Sequence, residues 1–336
     1  MKTQNNRAGY IDSLRAIAIL FVVIFHYTYH YESEYLLRTD QWRFELAKYG
    51  WSGVDIFFIV SGYCIGMTII NTKNFIEFVV RRAARLYPGY LVCGLLTLIF
   101  YFYFDLPGRE VDMFTGFMNL IFANFIPGMN FKYIDGIYWA LMVEIKFYLF
   151  FGLIFFLLKD LKKSINAWFI FCLLGNIVSF LDNSSYIFIT SIFPHANLFL
   201  IGLLIFYFDK IPTITKSLIF IFVIISLLTN VRYVGFEIYF IILVSFVSLF
   251  LLKKIDLKIK ILSSLGLVSY TWYLTHNAIG IIIIRELNNL NFQNVSILIA
   301  SIITLFLSTI IYRFIEIKSK KEIIIFYKKF FKGNLK

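Results

Sequence analysis

The sequence predicts an all-α fold, a polytopic membrane helix bundle of about ten transmembrane helices with both termini cytoplasmic. Three observations carry this. Of 336 residues, 60% are hydrophobic and 15% charged, with a mean hydropathy of +0.78. Soluble domains run at about 45–50% apolar and about 25% charged. Apolar runs long enough to cross a bilayer recur along the chain, and positive residues gather in alternate connections between them.

The spans fall near 11–30, 51–70, 86–104, 137–158, 165–181, 187–208, 214–230, 232–252, 262–285 and 292–315. The first follows a short polar start with Lys2 and Arg7 and lacks a small-residue cleavage site, so it is expected to be a retained anchor. The stretch 113–128 is apolar but too short to span, which suits a re-entrant or interfacial segment. Residues 1–316 form one membrane domain, and 317–336 a basic cytoplasmic tail.

Arg81, Arg82 and Arg85, then Lys159, Lys162 and Lys163, then Lys210 and Lys216, then Lys253, Lys254, Lys258 and Lys260 mark alternate connections. The loops between them carry Glu32, Glu34, Asp40 and Glu45, then Asp105, Glu110, Asp112 and Asp135. The positive-inside rule places the basic loops and both termini in the cytoplasm. The formal charge of +12 follows from those loops and the lysine-rich tail. It points to anionic lipid, not to nucleic acid. Cys64, Cys93 and Cys172 lie singly in apolar stretches, without metal-ligand or disulfide spacing, so no metal is expected.

Ionisable residues inside apolar runs are the natural functional candidates. Arg15 and His26 share the first run, ~16 Å apart along a helix axis. His26, Asp55, Glu144, His195 and His276 come from separate spans and are expected at a common depth in the outer half of the bilayer. For each alone, an interhelical hydrogen bond suffices. Together they suggest a polar cavity. Arg81, Arg82 and Arg85 precede Leu86-Tyr87-Pro88 at the cytoplasmic mouth of the third span. Guanidinium groups so clustered suit bidentate phosphate recognition, or simple positive-inside anchoring.

Five local patterns occur in order: Leu14-Arg15-Ala16 leading to His26; Gly53-Val54-Asp55 through Ser61-Gly62; Arg82-Ala83-Ala84-Arg85-Leu86-Tyr87-Pro88; Tyr138-Trp139 through Glu144, then Phe147-Tyr148; and Ser269-Tyr270-Thr271-Trp272-Tyr273-Leu274-Thr275-His276. Across 11–316 they closely resemble the acyltransferase 3 family of integral membrane acyltransferases. The resemblance implies an O-acetyltransferase of the bacterial inner membrane, with acetyl-CoA or another cytoplasmic acyl-CoA as donor. The acceptor it implies is a hydroxyl of a cell-surface or lipid-linked polysaccharide, such as O-antigen or capsule. It makes His26 catalytic with Glu144 and Asp55, and assigns Arg15, Arg82, Arg85 and Tyr87 to the donor. Trp139, Tyr273, His276 and His195 serve the acceptor or support the site. Two departures stand out: Glu316 is followed by Ile317-Lys318 where the family has proline soon after an acid, and His195 stands where many members carry arginine.

The residue chemistry agrees. Alcoholysis of a thioester needs a base near the hydroxyl, and histidine titrates closest to neutrality. Glu144 or Asp55 would set its tautomer and stabilise the imidazolium. Two other readings stay open. One is a transporter with an intramembrane proton relay, against which no internal repeat or paired broken helices are visible. The other is a non-catalytic partner in polysaccharide assembly.

Overall fold

A computed structural model describes residues 9–31, 45–104, 106–126, 128–181, 192–207 and 259–332. Among them the chain is helical, without a strand. Five helical runs are long and apolar enough to cross a membrane: Gly9–His30, Glu45–Ile69, Phe75–Tyr103, Gly136–Leu158 and Gln293–Phe331. A bent pair, Lys260–His276 with Ala278–Asn289, adds a sixth if taken as one span. The expected spans 214–230 and 232–252, and the basic connections from Lys210 to Lys258, lie outside the described residues.

The elements are α1 (Gly9–Ile24, continued by a π-helical turn Phe25–His30), α2 (Gly53–Ile69, after a 3-10 segment Glu45–Ser52), α3 (Phe75–Tyr103), α4 (Met113–Leu120), α5 (Trp139–Leu158), α6 (Leu161–Leu181), α7 (Phe193–Tyr207), α8 (Lys260–His276), α9 (Ala278–Asn289), α10 (Gln293–Ile311) and α11 (Ile317–Lys332). The chain divides into two compact units. The first comprises Met1–Ala18, Ser52–Phe78 and Val143–Gly266; the second comprises Ile19–Trp51, Val79–Met142 and Leu267–Lys336.

In the first unit α2 and α7 approach until only glycine fits between them. A Cβ at Gly202 would lie 2.0 Å from the Ile59 carbonyl oxygen, and one at Gly62 would lie 2.1 Å from that of Phe199. Small residues at such crossings let membrane helices touch backbone to backbone. Around them Phe147 stacks on Phe199 at 4.0 Å and meets Trp168 edge-on at 5.2 Å. The Trp168 indole N–H donates to the Ala196 carbonyl at 3.2 Å, which satisfies its one polar atom in the core.

In the second unit the segment after α3 folds back along it. A Cβ at Gly116 would touch Leu98, and one at Gly94 would meet Leu120, at 3.0 and 2.8 Å. Phe122, in the left-handed region with φ 58°, stacks on Tyr90 at 4.4 Å and packs against Tyr87 at 5.5 Å. Rising residue numbers on one strand of this hairpin meet falling numbers on the other. α4 is ~12 Å long, too short to span.

Two expectations change here. The arginine cluster does not precede its helix. α3 begins at Phe75, where the Asn74 side chain accepts from the Glu77 amide at 2.8 Å, a side-chain cap. Arg82 and Arg85 therefore lie about two and three turns inside it. The expected span 262–285 is broken at Asn277, with a bend of 63°.

Candidate functional site

His26 is the second residue of the π-helical turn that follows α1, where the Tyr31 amide reaches back five residues to the His26 carbonyl. Such turns are frequent at functional sites. The His26 Nδ1 lies 2.8 Å from the Val22 carbonyl oxygen, and His276 Nε2 lies 3.3 Å from the same nitrogen. The two rings meet edge-on, with centroids 5.0 Å apart. His276 Nδ1 in turn sits 2.8 Å from the Tyr273 carbonyl and 3.2 Å from that of Trp272.

These contacts assign the tautomers. A carbonyl oxygen only accepts, so each Nδ1 carries the proton. His276 Nε2 then faces the His26 Nδ1–H, and in a neutral His26 ring Nε2 is the basic nitrogen. In the second unit, helix carbonyls thus face the Nδ1 atoms of both histidines.

The histidine pair is tied in from three sides. The Tyr27 hydroxyl donates to the His276 carbonyl at 2.8 Å and contacts the Thr304 hydroxyl at 3.3 Å. The Trp272 indole N–H donates to the same Thr304 at 3.1 Å. Tyr273 donates through its hydroxyl to the Ile137 carbonyl at 2.9 Å, with its ring 5.6 Å from that of His276. His30, four residues after His26, meets it edge-on at 5.3 Å. Its i,i+4 spacing from His26 was a signal that sequence analysis passed over.

Asp135 is buried immediately before the fourth span, and no sequence pattern marked it as more than a loop acid. Its carboxylate accepts from the Asn277 amide at 2.5 Å, the Ala278 backbone amide at 2.9 Å and the Ile137 amide at 3.3 Å. Arg109 stands 3.7 Å away. Burial pushes this carboxyl above its ordinary value, while Arg109 and the three N–H donors pull it back.

Glu144 lies in the first unit. There it accepts hydroxyl hydrogen bonds from Ser61 of α2 and Tyr148 of its own helix. Ser61 and Tyr148 stand inside the quoted motifs, yet sequence analysis gave them no role. Asp55 is buried near the start of α2, Arg15 is buried in α1, and the His195 ring packs on Phe58 at 5.0 Å. In the second unit, Arg82, Arg85 and Trp139 are half-buried, and Tyr87 sits mid-helix against Phe122 rather than at a helix mouth. Among the described residues no cluster of His, Cys, Asp or Glu could hold a metal ion. Glu316, at the family departure, is buried in a π-helical turn, Tyr312–Glu316.

The pattern that defines the acyltransferase domain matches residues 8–313. An O-acetyl transferase of Shigella phage Sf6 is 26% identical over 54% of this chain and 56% of its own length. Peptidoglycan O-acetyltransferase OatA of Listeria monocytogenes is 30% identical over 41% of this chain and 22% of its own. O-acetyltransferase OatA of Staphylococcus aureus is 30% identical over 45% of this chain and 25% of its own. The chain thus spans about half the phage protein and about a quarter of each OatA. No solved structure matches it.

Proposed function

The chain belongs to the acyltransferase 3 family, and on that premise we propose that it transfers an acetyl group from acetyl-CoA to a glycan hydroxyl. The observation that carries this reading is the buried His26–His276 pair, in which helix carbonyls face each Nδ1 and so make Nε2 the basic nitrogen of a neutral His26. The acceptor hydroxyl gives its proton to His26 Nε2 as its oxygen attacks the thioester carbonyl. The tetrahedral intermediate expels the CoA thiolate, which recovers a proton from the imidazolium. General-base catalysis of this kind is worth roughly 10²–10⁴-fold.

Arg15, Arg82 and Arg85 are assigned to the donor's phosphates, where a planar guanidinium outperforms an ammonium. Glu144 organises Ser61 and Tyr148 in its own unit. The acceptor is a saccharide exposed at the cell surface or carried on lipid, and the enzyme works in the bacterial cytoplasmic membrane. The names of the relatives support O-acetylation, and that of the Listeria protein names peptidoglycan as one acceptor class; a surface polysaccharide is the other acceptor proposed.

Membranes containing the protein, given labelled acetyl-CoA with peptidoglycan fragments or lipid-linked saccharide, are expected to move label onto one of these acceptors. A correctly inserted His26→Ala protein should lose at least ~100-fold of that rate. Full activity in that variant would sink the assignment. The bend at Asn277 favours a transporter as second reading. Uptake of solute without any transfer of label would support it.

A further inference from the structure

We infer that Asp135 is a positioning residue: with Tyr138 it replaces the hydrogen bond that breaks between α8 and α9, and so holds His276 against His26. The inference rests on the acyltransfer reading only for its effect on rate.

Sharp bends in helices come from proline, glycine pairs, π-bulges or an inserted group. No proline or glycine lies between Leu274 and Ile279, yet the bend there is 63°. The inserted group is on the page. In an unbroken helix the Ala278 amide would donate to the Leu274 carbonyl four residues earlier. Instead the Ala278 amide donates to the Asp135 carboxylate at 2.9 Å, and the Leu274 carbonyl accepts from the Tyr138 hydroxyl at 3.3 Å. One short turn thus supplies both substitutes, closed on itself by the Tyr138 amide donating to the Asp135 carbonyl at 3.0 Å.

The exchange is chemically sound. A carboxylate at the start of α9 is favoured by the helix dipole, and Arg109 balances its buried charge at 3.7 Å. Asn277, between the two helices, is held by the other carboxylate oxygen. The His276 carbonyl, orphaned by the break, is taken by Tyr27. Without Asp135 the Ala278 amide has its old partner, Leu274, to return to. Restoring that bond would straighten the helix and carry the His276 ring away from His26.

The test uses the full chain in lipid nanodiscs. Asp135→Ala is expected to lower kcat for acetyl transfer at least ~10-fold while leaving KM for acetyl-CoA within ~2-fold. Nitrogen-15 spectra of labelled histidine should show the His26 and His276 ring signals displaced in that variant. Asp135→Asn, which keeps an acceptor oxygen for the Ala278 amide, should restore part of both. It also covers the case in which the alanine variant does not fold. If both variants keep the wild-type kcat and histidine signals, the inference is wrong. A drop in rate with unmoved histidine signals also overturns it. Displaced signals in Asp135→Ala, beside a fully active His26→Ala, would leave the positioning role standing and remove the acyltransfer reading.

Discussion

Tyr27 joins two elements through one oxygen, giving its proton to the His276 carbonyl while touching Thr304. Tyr27→Phe leaves that buried carbonyl without its donor. An unmade buried hydrogen bond costs about 1–3 kcal/mol, so chemical denaturation in mixed micelles should register a loss of that size. Transfer activity should fall with it, because the carbonyl belongs to the residue that faces His26. An unchanged unfolding midpoint would show that the hydroxyl contributes nothing. His26 and His276 were legible in the sequence because titratable side chains inside apolar runs demand a reason. Asp135 was not legible. Its partner Asn277 stands 142 positions away, and nothing local separates a buried loop acid from a solvated one. Glu144 was legible as an acid inside an apolar run, whereas its hydroxyl partners Ser61 and Tyr148 became visible only in the fold.

At the scale of elements, the glycine crossing of α2 and α7 and the cap of α4 carry separate predictions. Gly202→Ala would place a methyl 2.0 Å from a backbone oxygen, and backbone cannot rotate aside as a side chain can. Overpacking of this kind costs typically about 1–3 kcal/mol. The variant should unfold at lower temperature, and an unchanged melting temperature would mean that the helices separate freely.

Asp112 caps α4 by accepting from the Thr115 amide at 3.0 Å. The hydrogen bonds from Thr115 hold its carboxyl below the ordinary value. A lowered folded value stabilises the helix above the ordinary carboxylate range, and that gain is lost as pH falls through the lowered value. Amide exchange at the start of α4, corrected for its intrinsic rate, should accelerate below about pH 4. Asp112→Asn keeps a capping oxygen and should remove that pH dependence. Hydropathy and length made the all-helical fold and its five or six long apolar helical runs legible. The true start of α3 was hidden because three arginines look like a loop in a hydropathy window, although Asn74 and Glu77 form an ordinary helix start. The break at Asn277 was hidden for a different reason: its cause is the Asp135–Tyr138 turn, not a residue in the helix itself.

Among the described residues of the whole molecule, many large apolar side chains face outward as well as into the core. Phe102, Leu157, Ile170, Leu298 and Phe306 are among the exposed large side chains, while Asp55, His195 and His276 are buried. That inversion fits a lipid surround, and patches of this extent are not carried exposed to water by soluble monomers. The helical run Gln293–Phe331 is ~58 Å long, about twice the ~30 Å hydrocarbon core. Its end must therefore project beyond the bilayer, and Lys318, Lys320, Lys321, Lys328 and Lys329 belong to that end. The turn between α5 and α6 and the start of α6 are likewise exposed and carry Lys159, Lys162 and Lys163. Positive charge is retained on the cytoplasmic side, so both should face the cytoplasm, and the acidic segment at Glu110 and Asp112 should face outward. In a cysteine-free background, Lys162→Cys and Glu322→Cys should react with a membrane-impermeant maleimide only in inverted vesicles. Asp112→Cys should react only in right-side-out vesicles. Labelling of all three from one side would overturn the orientation and, with it, the proposed path from a cytoplasmic donor to an external hydroxyl.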